Sequence, residues 1–304
     1  MHTTNRRWWL AGVLWATASA VACGGAAPKP AVEDGAEAAE QVAAEADGSE
    51  TAGGEQAQAA PEVQMRELTY EVDGQTFTGY LAIAARATPG PAVLVVHEWW
   101  GHNEFVRDMA QRLGEQGYTA LALDMYGEGK VTEHPEDAKR FMQAAMSDLP
   151  AAERRIAAAY ELLSAEPTVD ADRVGAIGFC FGGGVVLHAM RAQVVPLEAV
   201  VSFHGVLQSH LKMPPEPGSI GTKVLVLTGG ADPFVPTDVV AAFEAEMRDA
   251  QVDYRVEVYP DAKHAFMNPG ATARGEQFGM PLAYDAEVAT QAWQEMVELF
   301  EAEL

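Results

Sequence analysis

Val174-Gly175-Ala176-Ile177-Gly178-Phe179-Cys180-Phe181-Gly182-Gly183-Gly184 decides the fold. The first six residues are uncharged and apolar, as a strand buried on both faces must be. They run into a cysteine flanked by Gly178 and Gly182, and Val185–Arg191 then reads as a helix. A strand that turns into a helix within one residue puts that residue on strained backbone, its side chain lifted at the end of the sheet. Side chains two positions before and after would collide with the neighbouring strand and helix, which is why glycine stands there. The helix N-terminus carries a partial positive charge that favours a thiolate. An isolated Gly-x-Cys-x-Gly is often only a buried turn, so the rest of the chain must decide whether Cys180 is a nucleophile.

Downstream, Thr228-Gly229-Gly230-Ala231-Asp232-Pro233 leaves an apolar run 52 residues after Cys180. Another 32 residues on, Tyr259-Pro260-Asp261-Ala262-Lys263-His264-Ala265-Phe266 leaves the next run. Nucleophile, acid and histidine in that chain order, each after a strand, is the arrangement this elbow requires. Cys180 would attack a carbonyl, His264 move protons and Asp232 orient the imidazole. Asp124 and Asp261 are rival acids: the first precedes the nucleophile, and the second is too near His264 along the chain to reach around its ring. His188 and His210 have no such placement. An oxyanion needs two backbone donors, expected at Phe181, after the nucleophile, and at Trp99 in Val96-His97-Glu98-Trp99-Trp100-Gly101.

The remaining pattern is α/β. Leu68–Val72 and Thr76–Ile83 flank Asp73-Gly74 as a hairpin. Apolar runs at Ala92–Val96, Thr119–Leu123, Ala199–Phe203, Val224–Thr228 and Arg255–Val258 alternate with helical stretches. Phe105, Met109 and Leu113 form an apolar stripe before Gly117; Pro150 opens a helix through Leu163; Thr237 or Asp238 caps one through Ala250; Asp285–Leu304 makes the last. This predicts a single doubly wound, mostly parallel sheet with helices on both faces, over residues 63–304.

These residues resemble the dienelactone hydrolase (carboxymethylenebutenolidase) family of α/β-hydrolases. The likeness lies in His97-Glu98-Trp99-Trp100-Gly101, Leu123-Asp124-Met125-Tyr126-Gly127, the cysteine elbow, Gly230-Ala231-Asp232 and His264-Ala265-Phe266, and it runs from about Met65 to the C-terminus. It implies a hydrolase of esters, lactones or thioesters acting through an acyl-enzyme. It also implies that Glu98 contacts the resting thiol, a like charge opposing thiolate formation. Dienelactone-specific members hold the substrate carboxylate with arginines, one of them four residues after the histidine. Asn268 stands there in this chain, with Arg107 and Arg274 as alternatives. Trp99, Trp100, Phe181, His204, Phe266, Met267 and Asn268 are candidate pocket residues, some of them packing residues. Alternative activities are a broad carboxylesterase or acyl-peptidase-like enzyme, or a surface lipoprotein that only binds a ligand.

The N-terminal part has another character. Arg6 and Arg7 precede the apolar run Trp8–Ala22, whose 15 residues are too few to span a bilayer and read as a signal peptide, residues 1–22. Ala20-Val21-Ala22-Cys23 resembles a lipobox, with Cys23 as the lipidated residue, and the arginine pair leaves Sec and twin-arginine export both open. Residues 24–62 hold nine acids against one base and no aromatic residue, the composition of an acidic disordered linker, so residues 23–62 read as a lipid-anchored tether. The expected location is the cell envelope, as a periplasm-facing or outer-membrane lipoprotein, or else secretion. A formal net charge of −24 without a basic stripe argues against nucleic acid. Two cysteines, Cys23 and Cys180, make no disulfide framework, and no Cys/His group has zinc spacing. The expectation is a monomer acting on a small ester or lactone, with no cofactor and no metal.

Overall fold

β1 (Gln64–Val72) and β2 (Gln75–Ile83) form an antiparallel hairpin in the computed structural model, which describes residues 63–211 and 213–304. The turn residues Asp73 and Gly74 both have positive φ, 54° and 77°, which matches the right-handed twist of the flanking strands. The expected signal peptide, Cys23 and the acidic tether lie outside the described residues.

β3 (Gly90–Val96), α1 (Glu104–Glu115), β4 (Thr119–Leu123), α2 (Pro135–Met146), α3 (Leu149–Ser164), β5 (Val169–Phe179) and α4 (Phe181–Arg191) follow. The chain continues through β6 (Ala199–Phe203), β7 (Lys223–Gly229), α5 (Thr237–Asp249), β8 (Tyr254–Tyr259), α6 (Ala271–Phe278) and α7 (Ala286–Glu303). The eight strands make one sheet in the order β1-β2-β4-β3-β5-β6-β7-β8, parallel from β4 to β8. α1 and α7 pack on one face through Val106, Leu113, Trp293 and Phe300. α3, α4 and α5 cover the other through Ile156, Leu163, Val186 and Phe243. This is the single α/β domain expected; the central strands β3, β4 and β6 carry no charged residue because neither face meets water, whereas β8 and the start of β5 carry charged residues.

The chain leaves β3 for β4 on one side and returns to β5 on the other. Strand order therefore reverses between β3 and β5, and in open α/β sheets the crevice at such a point holds the site. The C-terminal ends of β3 and β5 are His97-Glu98-Trp99 and Cys180.

Two helices escaped the sequence pattern. α2 opens with Pro135 and two first-turn acids, Glu136 and Asp137, a legible start, but only Ala138 and Ala145 are buried along it. α6 spans eight residues and stops at Gly279, left-handed at φ 63°. At α5 neither Thr237 nor Asp238 is the cap: the helix already includes Thr237, and Pro236 holds the cap position without a side-chain bond. Asp148 caps α3 by accepting from Ala151 N, which puts Pro150 in the first turn as expected, and Asp285 caps α7.

Candidate active site

Cys180 sits between β5 and α4 with φ 53° and ψ −112°, as the N-cap of the helix. Its neighbours show why the flanks are glycine. A Cβ on Gly178 would lie 2.1 Å from Gly182 O, and one on Gly182 would lie 2.3 Å from Val96 O. Both obstacles are backbone, so no side chain can yield. Cys180 N donates to Phe203 O at 3.0 Å, which ties the bend to the end of β6.

His264 lies in the loop after β8 and Asp232 in the loop after β7, both buried. His264 Nδ1 is 2.7 Å from Asp232 Oδ2, while Asp232 Oδ1 accepts from Phe234 N at 2.8 Å. Two rings meet the imidazole edge-on: His204 at 5.2 Å and Phe234 at 5.0 Å between centroids. Burial alone would lower the His264 pKa, but the charge of Cys180, then the Asp232 hydrogen bond and that of Cys180, outweigh it and raise the pKa to about 10. The three side chains chosen from the sequence are therefore brought together. Asp261 is exposed and absent from the cluster, as is His210, while His188 pairs with Glu153 at 3.0 Å.

Phe181 opens α4, where the first N–H groups lack intrahelical partners. Neither its N–H nor that of Trp99 donates to a protein acceptor among the described residues. The Glu98–Trp99 peptide is held from behind. His97 Nε2 accepts from Met125 N at 3.2 Å, so Nδ1 carries the proton and donates to Glu98 O at 2.5 Å. Burial pushes the His97 pKa down to about 4, which keeps the ring neutral for this dual role. Gly101 N donates to the same carbonyl at 3.2 Å. In a planar trans peptide the N–H points opposite to the C=O, so anchoring this carbonyl also aims the Trp99 N–H. Tyr126 OH, which donates to Trp99 O at 3.0 Å, fixes the next peptide. His97 and Tyr126 were missed as site residues. The signal for His97 was its place directly before Glu98.

Other expected residues are largely buried. Glu98, expected beside the resting thiol, accepts at Oε2 from Asn268 Nδ2 at 2.6 Å. Burial raises the Glu98 pKa against the Asn268 bond and the charges of His264 and Arg274. Asn268 is buried, with its Oδ1 accepting from Gly270 N at 2.9 Å. Phe266, Met267 and His204 are core residues around His264, and Trp100 is packed beneath the site loops. Arg107 pairs with Glu67 at 3.6 Å and lies over Tyr80, away from the cluster. Arg274 lies over Trp100 at 5.2 Å, near enough for its charge to act on Glu98.

The sequence profile of the dienelactone hydrolase family matches residues 77–304. A protein of Synechocystis sp., provisionally named a carboxymethylenebutenolidase, is 30% identical over 244 residues, 74% of this chain and 92% of that protein. A solved structure of a dienelactone hydrolase-like promiscuous phosphotriesterase, P91, from metagenomic libraries is 33% identical, with a TM-score of 0.71 over 79% of this chain and 98% of that one. Another, described as m3DLH, is 34% identical with a TM-score of 0.72 over 80% and 99% of the two chains. The acylaminoacyl peptidase of Pyrococcus horikoshii is 16% identical with a TM-score of 0.57, and this chain spans 42% of it; that likeness is one of fold alone.

Proposed function

Starting from the fact that this chain belongs to the dienelactone hydrolase family and is a hydrolase, we propose that it cleaves esters, lactones or thioesters through Cys180, His264 and Asp232. The observation that carries the reading is the 2.7 Å His264–Asp232 bond beside a cysteine at positive φ on a helix N-terminus. Cys180 Sγ attacks the acyl carbon, the bond to the leaving group breaks, and His264 gives that group its proton. His264 then takes a proton from water, the hydroxide attacks the thioester, and the thiolate leaves. Asp232 holds the Nδ1–H tautomer and faces the imidazolium in both steps. The N–H groups of Phe181 and Trp99 are the proposed donors to the oxyanion.

The test is labelling of Cys180 by an iodoacetamide probe with and without His264, alongside turnover of p-nitrophenyl esters, lactones, acyl thioesters and a phosphotriester. Fast labelling that depends on His264, with turnover lost on complete alkylation, is the expected result. Turnover that survives alkylation would place the nucleophile elsewhere. The lipobox-like Ala20-Val21-Ala22-Cys23 supports attachment to an envelope membrane through diacylglycerol. Cys23→Ala is then expected to lose labelled palmitate while ester turnover stays the same, and palmitate incorporation by the variant would remove the anchor.

A further inference from the structure

Six large apolar side chains are exposed among the described residues: Val131, Val206, Met213, Phe234, Val258 and Tyr284. One such side chain on a surface means little, but a concentration of them marks a contact site. Four of the six stand on the loops of the candidate site. Val206 N donates to Cys180 O at 3.3 Å, and Val131 is bridged to Gly101. Tyr284 lies between Ala283, whose N–H donates to His264 O, and Asp285, whose N–H donates to Phe266 O. Phe234 follows Asp232 by two residues, is 49% exposed, and meets the His264 ring at 75°.

We propose that Phe234 is the wall of a leaving-group subsite, and that the substrates are esters whose alcohol portion is aryl or bulky alkyl. This rests on the assignment of Cys180 and His264 as nucleophile and proton carrier. His264 Nδ1 is taken by Asp232, so the leaving oxygen must receive its proton from Nε2. Of the two rings against the imidazole, His204 is fully buried and Phe234 is half exposed. Of the two, only Phe234 can be met by a leaving group that approaches the imidazole from solvent. The Phe234 main chain is tied to the site by its N–H, which donates to Asp232 Oδ1 at 2.8 Å, and its ring meets His264 at 5.0 Å between centroids. An apolar alcohol loses water-exposed area there together with Phe234, whereas a hydrophilic one is desolvated without a partner. In the step itself the Sγ–acyl bond forms, the acyl–oxygen bond breaks, and the oxygen leaves with the His264 proton past the Phe234 ring. The acyl group stays on Cys180, so Phe234 acts on acylation and not on hydrolysis of the thioester.

The experiment uses Phe234→Ala and Phe234→Leu in the full chain, each of which keeps the backbone bond to Asp232. Benzyl and methoxyethyl esters of one acid are compared, since their alcohols differ in apolar surface far more than in acidity. For Phe234→Ala the benzyl-to-methoxyethyl ratio of kcat/KM is expected to fall about tenfold, a step equivalent to about 1.4 kcal/mol, with Phe234→Leu recovering part of it. The rate of deacylation, followed from the common acyl-enzyme by mass spectrometry, is expected to match the wild type. An unchanged ratio would overturn the subsite. A fall in deacylation equal to that in acylation would show that Phe234 only shields His264, and would overturn it as well. If no acyl group is found on Cys180, the nucleophile assignment fails and takes this inference with it.

Discussion

Asp124 and Asp232 stand at comparable points of the same sheet, one directly after β4 and the other in the loop after β7, and both are buried. Their surroundings differ in kind. Asp124 accepts from the backbone N–H of Tyr126 at 2.8 Å, Gly127 at 3.0 Å, Gly129 at 2.8 Å and Thr78 at 3.4 Å. Both oxygens are spent on its own loop and on β2. Asp232 spends one oxygen on Phe234 N and leaves the other for a side chain that can change its proton count. Burial alone does not distinguish the proposed catalytic acid from the other. What separates the two is whether the donors are fixed amides or a titratable ring. Asp124 still serves the site at one remove, because the loop it closes carries Tyr126, whose hydroxyl holds Trp99 O.

The largest expected effect breaks the open acid. Asp232→Asn keeps an oxygen for Phe234 N but reverses the hydrogen-bond demand on His264 Nδ1, and kcat/KM should fall roughly 10^3-fold, with a smaller loss of Tm than in Asp124→Asn. Asp124→Asn should do the opposite. An amide cannot accept at both ends, so buried amides of the 126–129 loop lose their partner, at a cost of about 3 kcal/mol. In a domain of this size that lowers Tm by roughly 6–12 °C, with a smaller, about tenfold or lesser, loss of turnover. Calorimetry and kinetics on both variants check the pair. Equal profiles for the two would mean that donor type does not distinguish the acids.

His264 sharpens the same contrast through pH. Its folded pKa of about 10 lies above the ordinary value near 6.5, so the folded state binds the proton more tightly. The resulting stabilisation is complete below about pH 6.5 and is lost as pH rises through about 10. Wild-type Tm should therefore decline between those limits. In Cys180→Ala the largest upward influence is gone and the decline should shrink, with the His264 ring titrating at lower pH by NMR. An unchanged titration would show that Asp232 alone holds the proton.

The fold was legible because the central strands are short apolar runs with marked exits, whereas β1 and β8 carry charged residues along their length. The β4 and β6 limits coincide with runs read from the sequence, and the glycines around Cys180 announce a backbone collision that the geometry contains. That His264 meets Asp232 and that Cys180 stands at the strand–helix bend was legible because chain order and strand ends placed them. The pocket was not. Phe266, Met267 and His204 sit beside His264 in sequence or space, yet they face the core, and proximity along a loop does not state which way a ring turns. Phe234, the proposed subsite wall, was not singled out, because its contact with the His264 ring depends on side-chain placement that no residue pattern records.

Glu98 is a third buried acid, intermediate between the other two, and it tests the smallest effect. Its one side-chain hydrogen bond comes from a neutral amide, Asn268. From the sequence alone, Asn268→Arg would supply a carboxylate clamp and turn selectivity toward anionic substrates by tenfold or more. The structure changes that expectation. Asn268 Nδ2 is 2.6 Å from Glu98 Oε2 and both residues are buried, so an arginine there meets Glu98 before any substrate. Burial already opposes ionisation of Glu98, and a guanidinium beside it would relieve that by pairing with the carboxylate. With its charge spent internally, the arginine should move the anionic-to-neutral ratio of kcat/KM by less than about tenfold, under ~1.4 kcal/mol. A methyl-substituted lactone and its carboxylate analogue, assayed on both proteins at two salt concentrations, measure it. A shift of tenfold or more that weakens with salt would show the arginine reaching past Glu98 to the substrate, and Glu98 would then belong with Asp124, satisfied without that partner.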